Sequence, residues 1–192
     1  MYREAITEKP LNERIMEVRA ADNFTTFSEL PQFYIKATIS VEDYRFEKHF
    51  GIDPIAIGRA AWSDLKAGAF VEGGSTITQQ LAKNLLFTQD KKMERKAAEV
   101  FAALKLETEY TKEEIFELYA NTAYFGSGYY GIYQASMGYF QKEPFELTDY
   151  ESAMLAGIPN APAEYSPDSS QELSSQRVNQ VLDSMVRLKI IN

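Results

Sequence analysis

The chain has 192 residues, no cysteine and a formal net charge of −8, with 45% hydrophobic and 13% aromatic residues. That supply of apolar side chains suits one packed domain and excludes general disorder. The lack of cysteine excludes disulfides and thiolate metal sites, and the acidity speaks against a nucleic-acid partner while leaving room for an anionic ligand where basic residues cluster.

The opening stretch, "MYREAITEKPLNERIMEVRA", is charged throughout and has no signal-peptide core. No apolar run is long enough to span a bilayer, so the expectation is a cytosolic chain or one anchored by a segment outside it. "DPIAIGRAAWSDLKAG" predicts a helix with Asp53 as N-cap, Pro54 at the first position and Gly68 as the stop, carrying Ile55, Trp62 and Leu65 on one face. "STITQQLAKNLLF" places Ile77, Leu81 and Leu85 at four-residue steps, a helix starting near Ser75. Met93, Ala97, Val100 and Leu104 mark a long amphipathic helix ending near Tyr110. Thr111 with Glu114, and Thr148 with Glu151, are capping-box pairs that open two more helices, the first running to about Asn121. Val178, Val181, Leu182, Met185 and Leu188 make a final one. The stretches "AFVEGG", "YFGSGYYG" and "PNAPAEYSP" read as loops, and the glycines at 125–131 suggest turns with positive φ. The sum is a mostly α, single-domain chain.

Several stretches hold residues suited to chemistry. "EDYRFEKHFG" sets Glu42 and Asp43 beside Phe46 and the only histidine, His49. "GGSTITQQLAKN" gathers neutral hydrogen-bonding groups before Lys83 and Asn84. "RKAAE" puts Arg95 and Glu99 one helical turn apart, and "ELYANTAYFG" follows. Each has a plain reading alone: a surface carboxylate at Glu42, a structural histidine, an N-cap at the Ser-Thr run, a solvated ion pair at 95 and 99. One histidine without cysteine offers no credible metal cluster.

Taken together and in this order, the motifs resemble the glycosyltransferase family 51 domain, the peptidoglycan glycosyltransferase of penicillin-binding proteins and monofunctional glycosyltransferases. The pattern E-D-x-x-F-x-x-H-x-G falls on Glu42, Asp43, Phe46, His49 and Gly51; G-x-S-T-I-T-Q-Q falls on Gly73 and Ser75 through Gln80; R-K-x-x-E falls on Arg95, Lys96 and Glu99. The departures are a lysine, Lys91 or Lys92, where arginine is usual, and Ala120 where leucine is usual. The resemblance covers roughly residues 25–190 and leaves 1–24 as an N-terminal extension.

The resemblance implies a lysozyme-like bilobal fold, with a larger catalytic head and a small membrane-facing jaw at about 52–72, including Ile52, Ile55, Ile57, Trp62, Phe70 and Val71; by helical periodicity the same side chains read equally as ordinary core. The glycine content near 66–74 suggests a mobile stretch. It implies polymerisation of lipid II into β-1,4 glycan strands with inversion and release of undecaprenyl pyrophosphate. Glu42 would be the general base and Glu99 the second carboxylate. Asp43, Phe46, His49, Gly74, Ser75, Thr76, Gln79, Gln80, Lys83, Asn84, Arg95 and Lys96 would bind substrate. A divalent cation, Mg or Mn, would assist, at residues the sequence does not identify. Expected partners are lipid II, the growing lipid-linked strand, the membrane surface, the inhibitor moenomycin, and transpeptidase or division and elongation proteins, with no nucleic acid. The expected location is the extracytoplasmic face of the bacterial cytoplasmic membrane, anchored from outside this chain. The rivals are a lysozyme-like glycan-cleaving enzyme and a non-catalytic lipid II-binding scaffold.

Overall fold

The computed structural model describes residues 9–67, 73–86 and 93–192, without the side chains of 64, 67 and 93–95. Its described residues are mostly helical, and they form no strand beyond two isolated bridges, Phe50 with Ile52 and Tyr124 with Tyr130. The helices are α1 (Leu11–Arg19), α2 (Gln32–Glu42), α3 (Pro54–Ala67), α4 (Ile77–Leu86), α5 (Met93–Glu109), α6 (Lys112–Thr122), α7 (Ile132–Phe140), α8 (Asp149–Gly157), α9 (Pro162–Tyr165) and α10 (Gln171–Arg187). The two capping boxes form as the spacing predicts: Thr111 and Glu114 open α6, and Thr148 and Glu151 open α8. Each satisfies amides that a helix start leaves without a partner.

Two groups of helices meet. In one, α2, α8 and α10 pack on one another; in the other, α4 packs on α5 and α6. Phe116 of α6 ties them, its ring edge-on to Tyr34 of α2 at 6.1 Å and to Phe46 at 6.3 Å. The opening segment is integral to the fold: Leu11 and Ile15 of α1 are buried, and Arg14 donates to the Leu85 carbonyl at the end of α4.

Three helices escape the sequence pattern: α1, α2 and α7. A fourth, short one turns part of the "PNAPAEYSP" loop into a helix at Pro162–Tyr165, preceded by a 3-10 turn at Ile158–Asn160. Prolines in the first turns explain both, because an orphan N–H there has no partner to lose. The glycine loop behaves as expected, with Gly126, Ser127, Gly128 and Gly131 all at positive φ.

The stripe of α3 differs from the others. Ile55, Trp62 and Leu65, which share a face by spacing, are 57%, 70% and 76% exposed. Phe70 and Val71 lie outside the described residues, as does most of the 66–74 stretch.

Candidate active site

A cavity of about 1170 Å³ opens at the seam between the two helix groups. Its floor carries Glu42, the last residue of α2. The helix ends there because Asp43 leaves helical geometry at φ −159°, ψ 69°. That turn sends two neighbouring carboxylates to different tasks.

Asp43 is a structural pin. Its carboxylate accepts from the Ile77 amide at 3.0 Å, at the start of α4, and pairs with His49 Nε2 at 2.8 Å. An acid at that point complements the positive end of the helix dipole. Thr76 and Gln79 complete the start of α4 reciprocally: the Gln79 amide donates to Thr76 Oγ1, and the Thr76 amide donates to Gln79 Oε1. The Thr76 hydroxyl donates in turn to the Gly51 carbonyl at 2.6 Å. Gly51 sits at φ +76°, and a Cβ there would lie 3.0 Å from the Ala103 backbone, so the loop presses on α5 only as glycine.

Glu42 is held differently. Gln80 Nε2 donates to one carboxylate oxygen at 2.9 Å, and Arg177 of α10 faces the other at 3.5 Å. The side chain is 7% exposed. Burial pushes its carboxyl above the ordinary glutamate range, with Asp43 adding to the push, against the pull of Gln80, Arg177 and Lys83. Arg177 is itself fixed: it donates to the Gly157 carbonyl and to Gln180, and stacks over the Tyr165 ring at 5.2 Å. The site therefore offers a desolvated carboxylate beside a preset guanidinium.

The structure brings Glu42, Asp43, Gly74, Ser75, Thr76, Gln80 and Lys83 to the cavity. Phe46 and His49 stand behind it, almost fully buried, and Gln79 is spent on the α4 cap. Asn84 is exposed and does not line the cavity. Glu99 also lies off the cavity wall, its side chain 3% exposed, and reaches it through Lys96, whose ammonium lies 3.1 Å from Glu99 and 2.6 Å from the Ser75 hydroxyl. The Arg95 side chain lies outside the described residues.

The opposite wall is the part that sequence motifs do not reveal. It comes from α10, through Arg177, Gln180, Asp183, Ser184 and Arg187, with Asn160 and Tyr165 beside them. The signal was present: 177, 180, 184 and 187 follow helical spacing on the polar flank of the helix whose apolar stripe is plain.

The described residues do not fit a resident divalent ion. No three Asp, Glu or His side chains gather among them. Asp43 is engaged by His49 and an amide, and an ammonium stands against Glu99.

An α-helical domain with a buried glutamate facing cations across a large cleft belongs, by its site, with enzymes of acid–base chemistry on polar, charged substrates. The chain belongs to the transglycosylase family, whose model matches residues 8–186. It is 47% identical over 163 residues to penicillin-binding protein 1A of Aquifex aeolicus, and 48% identical over 160 residues to penicillin-binding protein 1F of Bacillus subtilis. Those alignments cover 85% and 83% of this chain but only 22% of each relative, so the chain spans about a fifth of their length. A solved structure, penicillin-binding protein 1A from Haemophilus influenzae, is matched at 31% identity with a TM-score of 0.41, over 60% of this chain and 14% of that one.

Proposed function

We propose that this domain polymerises lipid II into β-1,4 glycan strands, inverting the anomeric centre and releasing undecaprenyl pyrophosphate. The observation that carries the reading is Glu42, desolvated at the cavity floor between Gln80 and Arg177. A sugar hydroxyl is a weak nucleophile and needs a base in contact with it as attack proceeds. A carboxylate whose proton affinity is raised by burial, and which has a guanidinium and an ammonium for neighbours, suits that role. The glycosyl bond breaks toward pyrophosphate, whose growing charge calls for cations. Lys83 lines the cavity, and Lys96 borders it at Ser75. Arg177 and Arg187 supply charge from the far wall. Glu99 orders Lys96. A divalent ion, Mg or Mn, would have to come with the substrate, since no described cluster of carboxylates would hold it, and would supply further positive charge.

The neutral groups of Ser75 and Gln80, with the Gly74 backbone, suit sugar hydroxyls and phosphate oxygens without trapping product by fixed charge. The exposed apolar stripe of α3 fits a membrane-facing jaw against a larger head. The domain would then work at the extracytoplasmic face of the cytoplasmic membrane, anchored from elsewhere, with moenomycin as a competitor and transpeptidase or division proteins as neighbours.

A lysozyme-like hydrolase is the second reading, since a raised carboxyl also serves as a general acid. The cation-lined wall favours the transferase, because hydrolysis of a glycan releases no phosphate. Labelled lipid II in detergent separates the two readings. We expect glycan ladders from the unaltered chain, loss of about 100-fold or more of the rate in Glu42→Gln, and abolition by moenomycin. Full activity in Glu42→Gln refutes the assignment of the base, and cleavage of preformed strands without polymerisation favours the hydrolase.

A further inference from the structure

Four carboxylates line the cavity: Glu42, Asp43, Asp53 and Asp183. Three of them are committed. Glu42 faces Gln80 and Arg177, Asp43 holds His49 and the Ile77 amide, and Asp53 holds Arg45 and the Ile55 amide. Asp183 of α10 is different: among the described residues its carboxylate meets no hydrogen-bond donor and closes no ion pair. Arg187 follows one turn later and also lines the cavity. An acid four residues before a base is the order that favours an ion pair within a helix. No such pair forms here. The Arg187 guanidinium turns instead to the neutral Ser184 hydroxyl at 3.2 Å, which itself donates to the Ser40 carbonyl of α2 at 2.8 Å. Gln180, on the same flank, accepts from Arg177 through its side-chain oxygen, which leaves its amide donors for the cavity. One edge of the cleft thus presents an unanswered carboxylate, a guanidinium and an amide, on a helix tied to α2.

We propose that Gln180, Asp183 and Arg187 form a lip that reads the peptide carried by the accepting substrate, with Asp183 taking a free side-chain amine and Arg187 a carboxylate. The proposal rests on the reading of the domain as a lipid II polymerase. Lys83 and the Lys96–Ser75 pair stand on the α4 side of Glu42, and α10 faces its other oxygen. Arg187 lies roughly 15 Å beyond Arg177 along α10 at the helical rise, so its close-range partner is not the group that Glu42 touches. Asp183 would repel a pyrophosphate, and a plain sugar has no charge to answer Arg187. A group with both an ammonium and a carboxylate answers both. In lipid II that group is the peptide borne on the disaccharide. The base contacts the accepting sugar, so the peptide that reaches this edge is the acceptor's. Both charges are exposed, and each such pair adds little affinity. Their opposed signs, set one turn apart, act on the choice between peptides. No bond is made or broken at the lip; its residues select the acceptor.

The test titrates the nitrogen-labelled 192-residue chain with a soluble disaccharide-peptide that lacks lipid and pyrophosphate, and follows the backbone amides of 177–188 by NMR. The probe is used in three forms: unaltered, acetylated at the peptide's side-chain amine, and amidated at its terminal carboxylate. The unaltered probe should bind about threefold or more tighter than either modified one. In Asp183→Asn the unaltered and acetylated probes should bind alike, while Asp183→Glu should keep the preference. Arg187→Gln should remove the difference between the unaltered and amidated probes. Both positions are exposed, so these substitutions leave the fold in place. Equal affinity of the unaltered and acetylated probes for the parent chain, or no shift at 177–188, overturns the lip. So does a preference that survives Asp183→Asn. Discrimination by a chain that makes no glycan from lipid II leaves the lip standing and removes the proposed function; glycan ladders from a chain that does not discriminate do the reverse.

Discussion

Helices α3 and α4 flank the same cavity, carry apolar residues at the same kind of spacing, and use them in opposite ways. In α4, Ile77, Leu81 and Leu85 are buried against α5 and α6, which leaves Gln80 and Lys83 facing the cleft. In α3, Ile55, Trp62 and Leu65 point to solvent. Periodicity states that a helix has an apolar face; it does not state what covers that face. The starts of the two helices differ as well. The first turn of α4 is closed by Thr76, Gln79 and the Asp43 carboxylate, whereas α3 hangs from Asp53, which accepts from the Ile55 amide and pairs with Arg45 at 2.9 Å.

The sharpest contrast lies in stability. Leu81→Ala removes a fully buried side chain from the α4 packing and should cost about 2–5 kcal/mol in denaturant unfolding. A loss below about 1 kcal/mol would mean that α4 is not the core element it resembles. The cap of α3 comes next. Asp53→Ala should cost about 1–2 kcal/mol at neutral pH, reported by Trp62, the only tryptophan. Burial opposes ionisation of Asp53, but the Ala56 and Ile55 amides and Arg45 outweigh it, so its carboxyl titrates below the ordinary 3.8. A depressed folded value means that the cap's contribution is fully present above pH 3.8 and lost as pH falls through the lower folded value. The wild-type advantage over Asp53→Ala should therefore shrink in strong acid. An advantage that stays constant with pH would show that the Asp53 charge is not what holds α3.

Where a residue's role is local, the sequence was readable. The capping boxes at 111 and 148, the proline start of α3 and the glycine turns depend on neighbours a few residues away, and the chain carries them openly. α2 shows the limit. "QFYIKATISVE" is rich in β-branched and aromatic residues, has no side-chain cap, and becomes a helix through packing on α8 and α10. The site divides in the same way. The motifs contain Glu42, Gln80 and Lys83, but they do not separate Asp43, which pins α4, from Glu42, which faces the cleft one residue earlier. Arg177 comes from a helix 135 residues downstream, and only the tertiary fold sets it against Glu42.

The smallest expected effect on stability is the most informative about α3. Trp62 and Leu65 are 70% and 76% exposed, so replacing both with serine removes little packing and should change unfolding free energy by no more than about 0.5 kcal/mol. Leaving two large apolar side chains in water brings the folded domain no gain from their burial; a surface that covers them would. The chain's net charge of −8 gives no general attraction to an anionic bilayer, so the membrane attachment proposed for the domain would come from local apolar contact. Binding of the domain to vesicles of phosphatidylethanolamine and phosphatidylglycerol should therefore fall about tenfold or more in Trp62→Ser with Leu65→Ser, and should change little with salt. Blue-shifted Trp62 emission on adding vesicles to the unaltered chain would place the indole in the apolar layer. Binding that survives the double substitution, or that salt abolishes, would assign α3 a partner other than lipid and end the reading of it as the membrane-facing element.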